Sequence, residues 1–118
     1  DLSREMLHVG YEATVYAISI TECVTRYFIR EPKHGSITHF AAPAFDIVDA
    51  RVSSYWHYQR RIIPEKVSIF PKPATEHALF AIQEWIEEPR FHEGIVEGWE
   101  RETAIMEAKA AMMDNEFN

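Results

Sequence analysis

The strongest constraint on this chain is the spacing of its apolar side chains. Leu2, Met6, Val9, Ala13, Tyr16, Ile20, Cys23 and Tyr27 follow one another in alternating steps of four and three. In an α-helix that spacing puts them all on one stripe, because a turn takes about 3.6 residues. A strand is the rival for part of this stretch, since Ala13–Ile29 is rich in β-branched and aromatic residues. Period two fails there, however: Glu22, Arg26 and Arg30 share a parity with Tyr16, Ile18, Ile20 and Phe28. The reading favours a long first helix from Leu2 to about Arg30. Arg26 and Arg30 then lie near its C-terminal end, where exposed carbonyls attract cations.

Proline punctuates the rest, at Pro32, Pro43, Pro64, Pro71, Pro73 and Pro89. From Pro43 to about Ile63 the three-four spacing returns through Phe45, Val48, Val52, Tyr55, Gln59 and Ile62. Asp46 and Asp49 come early and Arg60 and Arg61 late, the order a helix dipole prefers. Val67–Phe70 is a short apolar run, read as a packed extended segment or an edge strand. A third helix starts at Thr75 as N-cap and turns Ala78, Leu79, Ile82, Trp85 and Ile86 inward. A fourth spans Pro89 to about Met113, with Phe91, Ile95, Trp99, Ile105 or Met106, and Met113 inward. Gly94 and Gly98 each weaken that helix by about 1 kcal/mol relative to alanine. Asp114–Asn118 are expected to fray. The expected fold is mainly α, about four helices in a small bundle with a long first helix. The alternative is α+β, with a short sheet from 14–29 and 66–70.

A chain of 118 residues fits one domain, here 1–118, and 47% hydrophobic with 26% charged residues is ordinary globular usage. The single cysteine, Cys23, excludes an intrachain disulfide and a cysteine zinc cage. No uncharged apolar run reaches the roughly 20 residues of a membrane span, no signal-peptide pattern is visible, and a cytoplasmic location is expected. The charge is lopsided. Residues 1–63 hold seven basic and seven acidic side chains, whereas 64–118 hold five and twelve, so the whole net charge of −7 falls in the second half. Such a surface repels phosphate backbones, and duplex nucleic acid is not expected as a partner.

Four clusters have chemical possibilities. Glu5 and His8 form an E-x-x-H pair, half of a carboxylate-bridged dimetal site, while Pro89 separates Glu88 from His92. His34 and His39 flank a glycine-containing loop, with Cys23 upstream. Tyr55-Trp56-His57-Tyr58-Gln59-Arg60-Arg61 is the densest aromatic and basic run, suited to stacking a planar ligand or to a protein interface; Tyr55, Trp56, Arg60 and Arg61 are its candidate binding residues. Glu93, Glu97 and Glu100 lie one turn apart on the fourth helix, an acidic stripe that suits a basic partner or plain solvation. No glycine-flanked serine elbow and no phosphate-cradling glycine loop is present.

Neither a metal nor a cofactor is expected from these patterns, and no catalytic residue is assigned. The first reading is a small non-catalytic helical protein that binds another macromolecule, a protein partner or a second copy in a homodimer. Its sharper form is an acidic antagonist or immunity-type protein. The alternative is a small-molecule or metal-binding domain, possible as an enzyme using His and Glu side chains.

Overall fold

Within the segment read as a first helix, residues 17–30 hold the two strands of a β-hairpin, and Leu2, Met6 and Val9 lie outside the described residues. The computed structural model describes residues 10–22, 24–63 and 75–117. In it, strands β1 (Ala17–Thr21) and β2 (Val24–Arg30) pair antiparallel, from Ala17 opposite Phe28 to Thr21 opposite Val24. Glu22 starts the reversal at φ 48°, a left-handed conformation that non-glycine residues adopt rarely. A strand pair joined by two residues takes odd partners opposite even ones. One face therefore carries Ala17, Ser19 and Thr21 and then Val24, Arg26, Phe28 and Arg30. The parity that counted against a strand is the parity of two strands joined by this turn.

Three more strands complete the sheet: β3 (Ile37–Ala41), β4 (His57–Ile63) and β5 (Thr75–Ala81). All pairings are antiparallel, in the order β3-β2-β1-β5-β4. Three helices follow: α1 (Gln83–Glu87), α2 (Phe91–Glu97) and α3 (Glu100–Asn115). This α+β architecture replaces the expected mainly α bundle. The sheet includes part of the 14–29 stretch named in the alternative, but it has five strands, and 66–70 lie outside the described residues.

The second expected helix is likewise absent. A single 3-10 turn, Ala42–Ala44, is followed by an irregular segment and then by β4. On its supposed inward stripe Val48, Val52 and Ile62 are 81%, 68% and 64% exposed, so no helix buries them. Thr75 opens a strand rather than a helix, and only Gln83–Glu87 of that segment is helical. The fourth expected helix is two: Gly98 stands at φ 73° and ends α2, its N–H reaching the carbonyls of Gly94 and Ile95. Asp114 and Asn115, expected to fray, belong to α3.

The helices cover one face of the sheet. Tyr16, Ala17, Phe28 and Ala81 from the sheet side meet Ile82, Trp85, Phe91, Met106, Ala110 and Met113 in a single buried cluster. Met106, Ala110 and Met113 are spaced four and three apart, the helical stripe that α3 lays on the sheet. Polar ties fix the docking. The Tyr16 hydroxyl donates to Asp114 Oδ1 at 2.8 Å, and Arg30 grips Glu107 through both guanidinium nitrogens at 2.9 and 2.6 Å. Between β2 and β3 the buried Glu31 carboxylate accepts the backbone N–H groups of Lys33, His34 and Ser36 at 2.7, 2.6 and 3.2 Å. Gly35, at φ 75°, supplies the left-handed step of that turn.

Candidate functional site

Register decides which side chains can meet under the helices. On the inner face, one cross-strand row is His39, Phe28 and Ala17, continued by Ala81 and His57. The next row is Ala41, Arg26, Ser19, Leu79 and Gln59. A third holds Val24, Thr21, His77 and Arg61. The first row lies beneath α1 and α3. Over the second and third rows the sheet opens into a cleft of about 230 Å³.

Its floor is Ser19, Leu79 and the Phe28 ring, and the short Ser19 side chain leaves room between the larger two. Gln59, Arg61 and His77 form one side, while Trp85, Glu88, Pro89 and His92 form the opposite wall. That wall is held by aromatic contacts rather than by helix length, since α1 has only five residues. Trp85 is buried and meets Phe28 edge-on with ring centres 4.8 Å apart. His92 stacks on Trp85 at 5.5 Å with an interplanar angle of 20°, and presents itself edge-on to Phe28 at 5.4 Å. His39 meets the same Phe28 ring at 5.6 Å. Phe91, 1% exposed, plugs α2 into the core and carries His92 with it.

The charges of the site are ordered. Desolvation against these rings pushes His92 below the ordinary histidine value, and the nearby His39 adds to the shift. Desolvation, followed by the charge of Arg26, does the same to His39. Both imidazoles are therefore neutral at pH 7. Hydrogen bonds from Arg101, at 2.7 and 3.2 Å, hold the Glu88 carboxyl below the usual carboxylate range. Among the described residues Arg61 makes a long 3.5 Å bond to the Ile86 carbonyl at the end of α1.

The residues proposed from sequence are dispersed by the strand. Consecutive side chains on β4 face opposite ways. Arg61 enters the cleft, while Arg60 lies on the outer face and pairs with Glu76. Trp56 is half-buried and donates its indole N–H to the Tyr16 carbonyl at 2.8 Å, and Tyr55 packs against the core. Glu93 pairs with Arg90 at 2.9 Å, whereas Glu97 ends α2 and Glu100 opens α3, so the three glutamates share no single helix. Arg101 pairs with Glu88 and Glu102. His34 belongs to the turn before β3 and is exposed, apart from His39 on the strand. Glu5, His8 and Cys23 lie outside the described residues. Among the described residues no group of three His, Cys, Asp or Glu side chains is placed to hold a metal ion. No helix among them is long and apolar enough to cross a membrane.

The sequence reading passed over Ser19 and His77, and it set Gln59 on a helical stripe rather than on a strand facing a cleft. Glu88 and His92 carried the one usable signal, because the turn at Pro89 leaves both on the cleft wall. Comparison of the chain with protein-family models, with curated proteins and with solved structures gave no match, so the site stands on its own geometry.

Proposed function

We propose that the protein binds a small molecule in the cleft between the inner sheet face and the α1–α2 wall. The observation that carries this reading is convergence. Ser19, Gln59, Arg61 and His77 from three strands and His92 from a helix direct polar groups over an apolar floor of Phe28, Leu79 and Trp85. A concave apolar surface with a few placed polar groups is the pattern of small-molecule sites. This reading ranks above macromolecular binding, because the described part of the seam-like stripes falls on strands and irregular structure, Arg60 and Arg61 lie on opposite faces of β4, and Glu93, Glu97 and Glu100 share no single helix.

Amide and indole NMR spectra recorded against a library of small polar aromatic compounds test it. The expected responses come from Ser19, Gln59, His77 and the Trp85 indole N–H. Ser19→Leu, which fills the floor, abolishes them while the circular dichroism spectrum is retained. Responses confined to the outer face, at Tyr58, Ile62 and Phe80, would overturn the assignment.

A further inference from the structure

Among the described residues every arginine pairs with a carboxylate except two. Arg30, Arg51, Arg60, Arg90 and Arg101 hold Glu107, Asp49, Glu76, Glu93 and Glu88 respectively. Arg26 and Arg61 have no carboxylate partner among the described residues. In a chain with 19 acidic side chains against 12 basic ones, an arginine without an acid is the less expected outcome. The two share the inner face of the sheet: Arg26 sits opposite Ser19 on the floor, and Arg61 sits opposite His77 on the side. Three strand spacings, about 14 Å, separate their backbones, and of the two Arg61 is the one that lines the cleft.

We propose that the ligand is a small aromatic monocarboxylic acid, its carboxylate held from the Arg61 side and its ring laid against Trp85, Phe28 and His92. The proposal rests on the cleft being a ligand site, and it adds the chemical class. Guanidinium groups present a planar fork that fits a carboxylate in two parallel hydrogen bonds. The aromatic wall suits a planar ring, since aromatic pairs in offset or edge-to-face contact gain more than their buried area alone supplies. Volume limits the size: an apolar cavity of about 150 Å³ accommodates benzene, so about 230 Å³ accommodates a ring with one carboxyl and a small substituent. Glu88 limits the charge. Its carboxylate stays ionised under Arg101 and lines the same cleft, so a second negative charge on the ligand meets repulsion.

The test titrates benzoate, benzamide and phenyl phosphate into the protein and follows the Trp85 indole and the Gln59 and His77 amides by NMR. Benzoate is expected to bind about ten-fold more tightly than the isosteric benzamide. Added sodium chloride should weaken benzoate alone, a control that needs no variant. Arg61→Gln should remove the preference of benzoate over benzamide. Equal affinity for benzoate and benzamide, with the cleft resonances moving for both, would overturn the acid class and keep the cleft. Phenyl phosphate binding more tightly than benzoate would overturn the monocarboxylate. No response at these resonances from any probe at millimolar concentration would overturn the class and the cleft together.

Discussion

Gly94→Ala sets two physical effects against each other, and the structure decides the sign. Alanine is the better helix former by about 1 kcal/mol, so helix propensity alone makes the substitution stabilising. Gly94 is buried in α2 where that helix folds back on α3. A Cβ built there would lie 2.6 Å from Glu102 Cγ, 2.8 Å from Glu102 Oε2 and 2.8 Å from Trp99 Cε3. Carbon contacts are most favourable at about 3.5–4.0 Å, so each of these is short by roughly 1 Å. The Glu102 carboxylate can swing aside at the expense of its contact with Arg101, but the Trp99 ring is a rigid plane beneath the Arg90 guanidinium, 4.9 Å away. Overpacking of this kind costs about 1–3 kcal/mol, and extra crowding on a ring belongs in the upper part of that range. The net expectation is a loss of about 1–2 kcal/mol, or a fall in Tm of several degrees for a domain this size.

Urea and thermal unfolding followed by circular dichroism measure it. Repeating the substitution in a Glu102→Ala background separates the two contacts, because only the glutamate share of the clash is then relieved. The double variant should recover part of the loss, giving a coupling on the order of 0.5 kcal/mol or more. A Gly94→Ala protein more stable than the parent would refute the close approach of α2 to α3. Because α2 carries His92, the same variant should also shift the resonances of the cleft wall.

Three further expectations concern titration and buried charge. Tyr16, desolvated and hydrogen-bonded to Asp114, has its hydroxyl pushed up to about 12. Its folded value exceeds its unfolded one, so its contribution of about 1–2 kcal/mol is complete below pH 10 and is lost as pH rises towards 12. Ultraviolet titration should show one tyrosine ionising last, and Tyr16→Phe should flatten stability across that window. His39 and His92 are depressed, so their contribution is present above the ordinary histidine value and is lost as pH falls through their folded values. Their imidazole NMR signals should titrate below pH 6.5, and a double change to phenylalanine should weaken the acid dependence of Tm; signals that titrate at the unperturbed position would contradict their packing against Phe28 and Trp85. For Glu31 burial opposes the charge, but three backbone N–H groups outweigh it and hold the carboxyl low. Glu31→Ala should lower Tm and expose the Lys33, His34 and Ser36 amides to hydrogen exchange, and unchanged protection would refute the turn.

How much of this was legible in the sequence follows from where the periodicities break. Helical spacing in the last third was real, and Met106, Ala110 and Met113 face the core as such spacing demands. The same spacing from Tyr16 to Tyr27 was a coincidence between two strands. Thr21-Glu22-Cys23-Val24 contains no Asn-Gly or Asp-Gly, so the reversal sent no turn signal, and period two was tested across a hairpin as though it were one strand. On β4, residues His57–Ile63 place polar side chains on both faces, since the outer face pairs Arg60 with Glu76 and the inner face lines the cleft. That leaves no apolar alternation to find. The site was hidden for a related reason. Ser19, Gln59 and His77 are brought together by register, and nothing in their separations along the chain encodes the pairings of β1 with β5 and β5 with β4.

The five-residue α1 has a consequence for how ligand selectivity can change. A helix this short has no stability of its own, so the cleft wall is positioned by what Trp85 and Phe91 insert into the core. The width of the cleft is thus written in the size of two anchoring side chains, one of which, Trp85, also lines it. Replacing Trp85 by a smaller aromatic group would let the wall settle closer to the sheet and narrow the opening, with Arg61 and His77 unaltered. Selectivity by ligand size and selectivity by ligand charge are then separate variables, held by different parts of the chain and open to independent change.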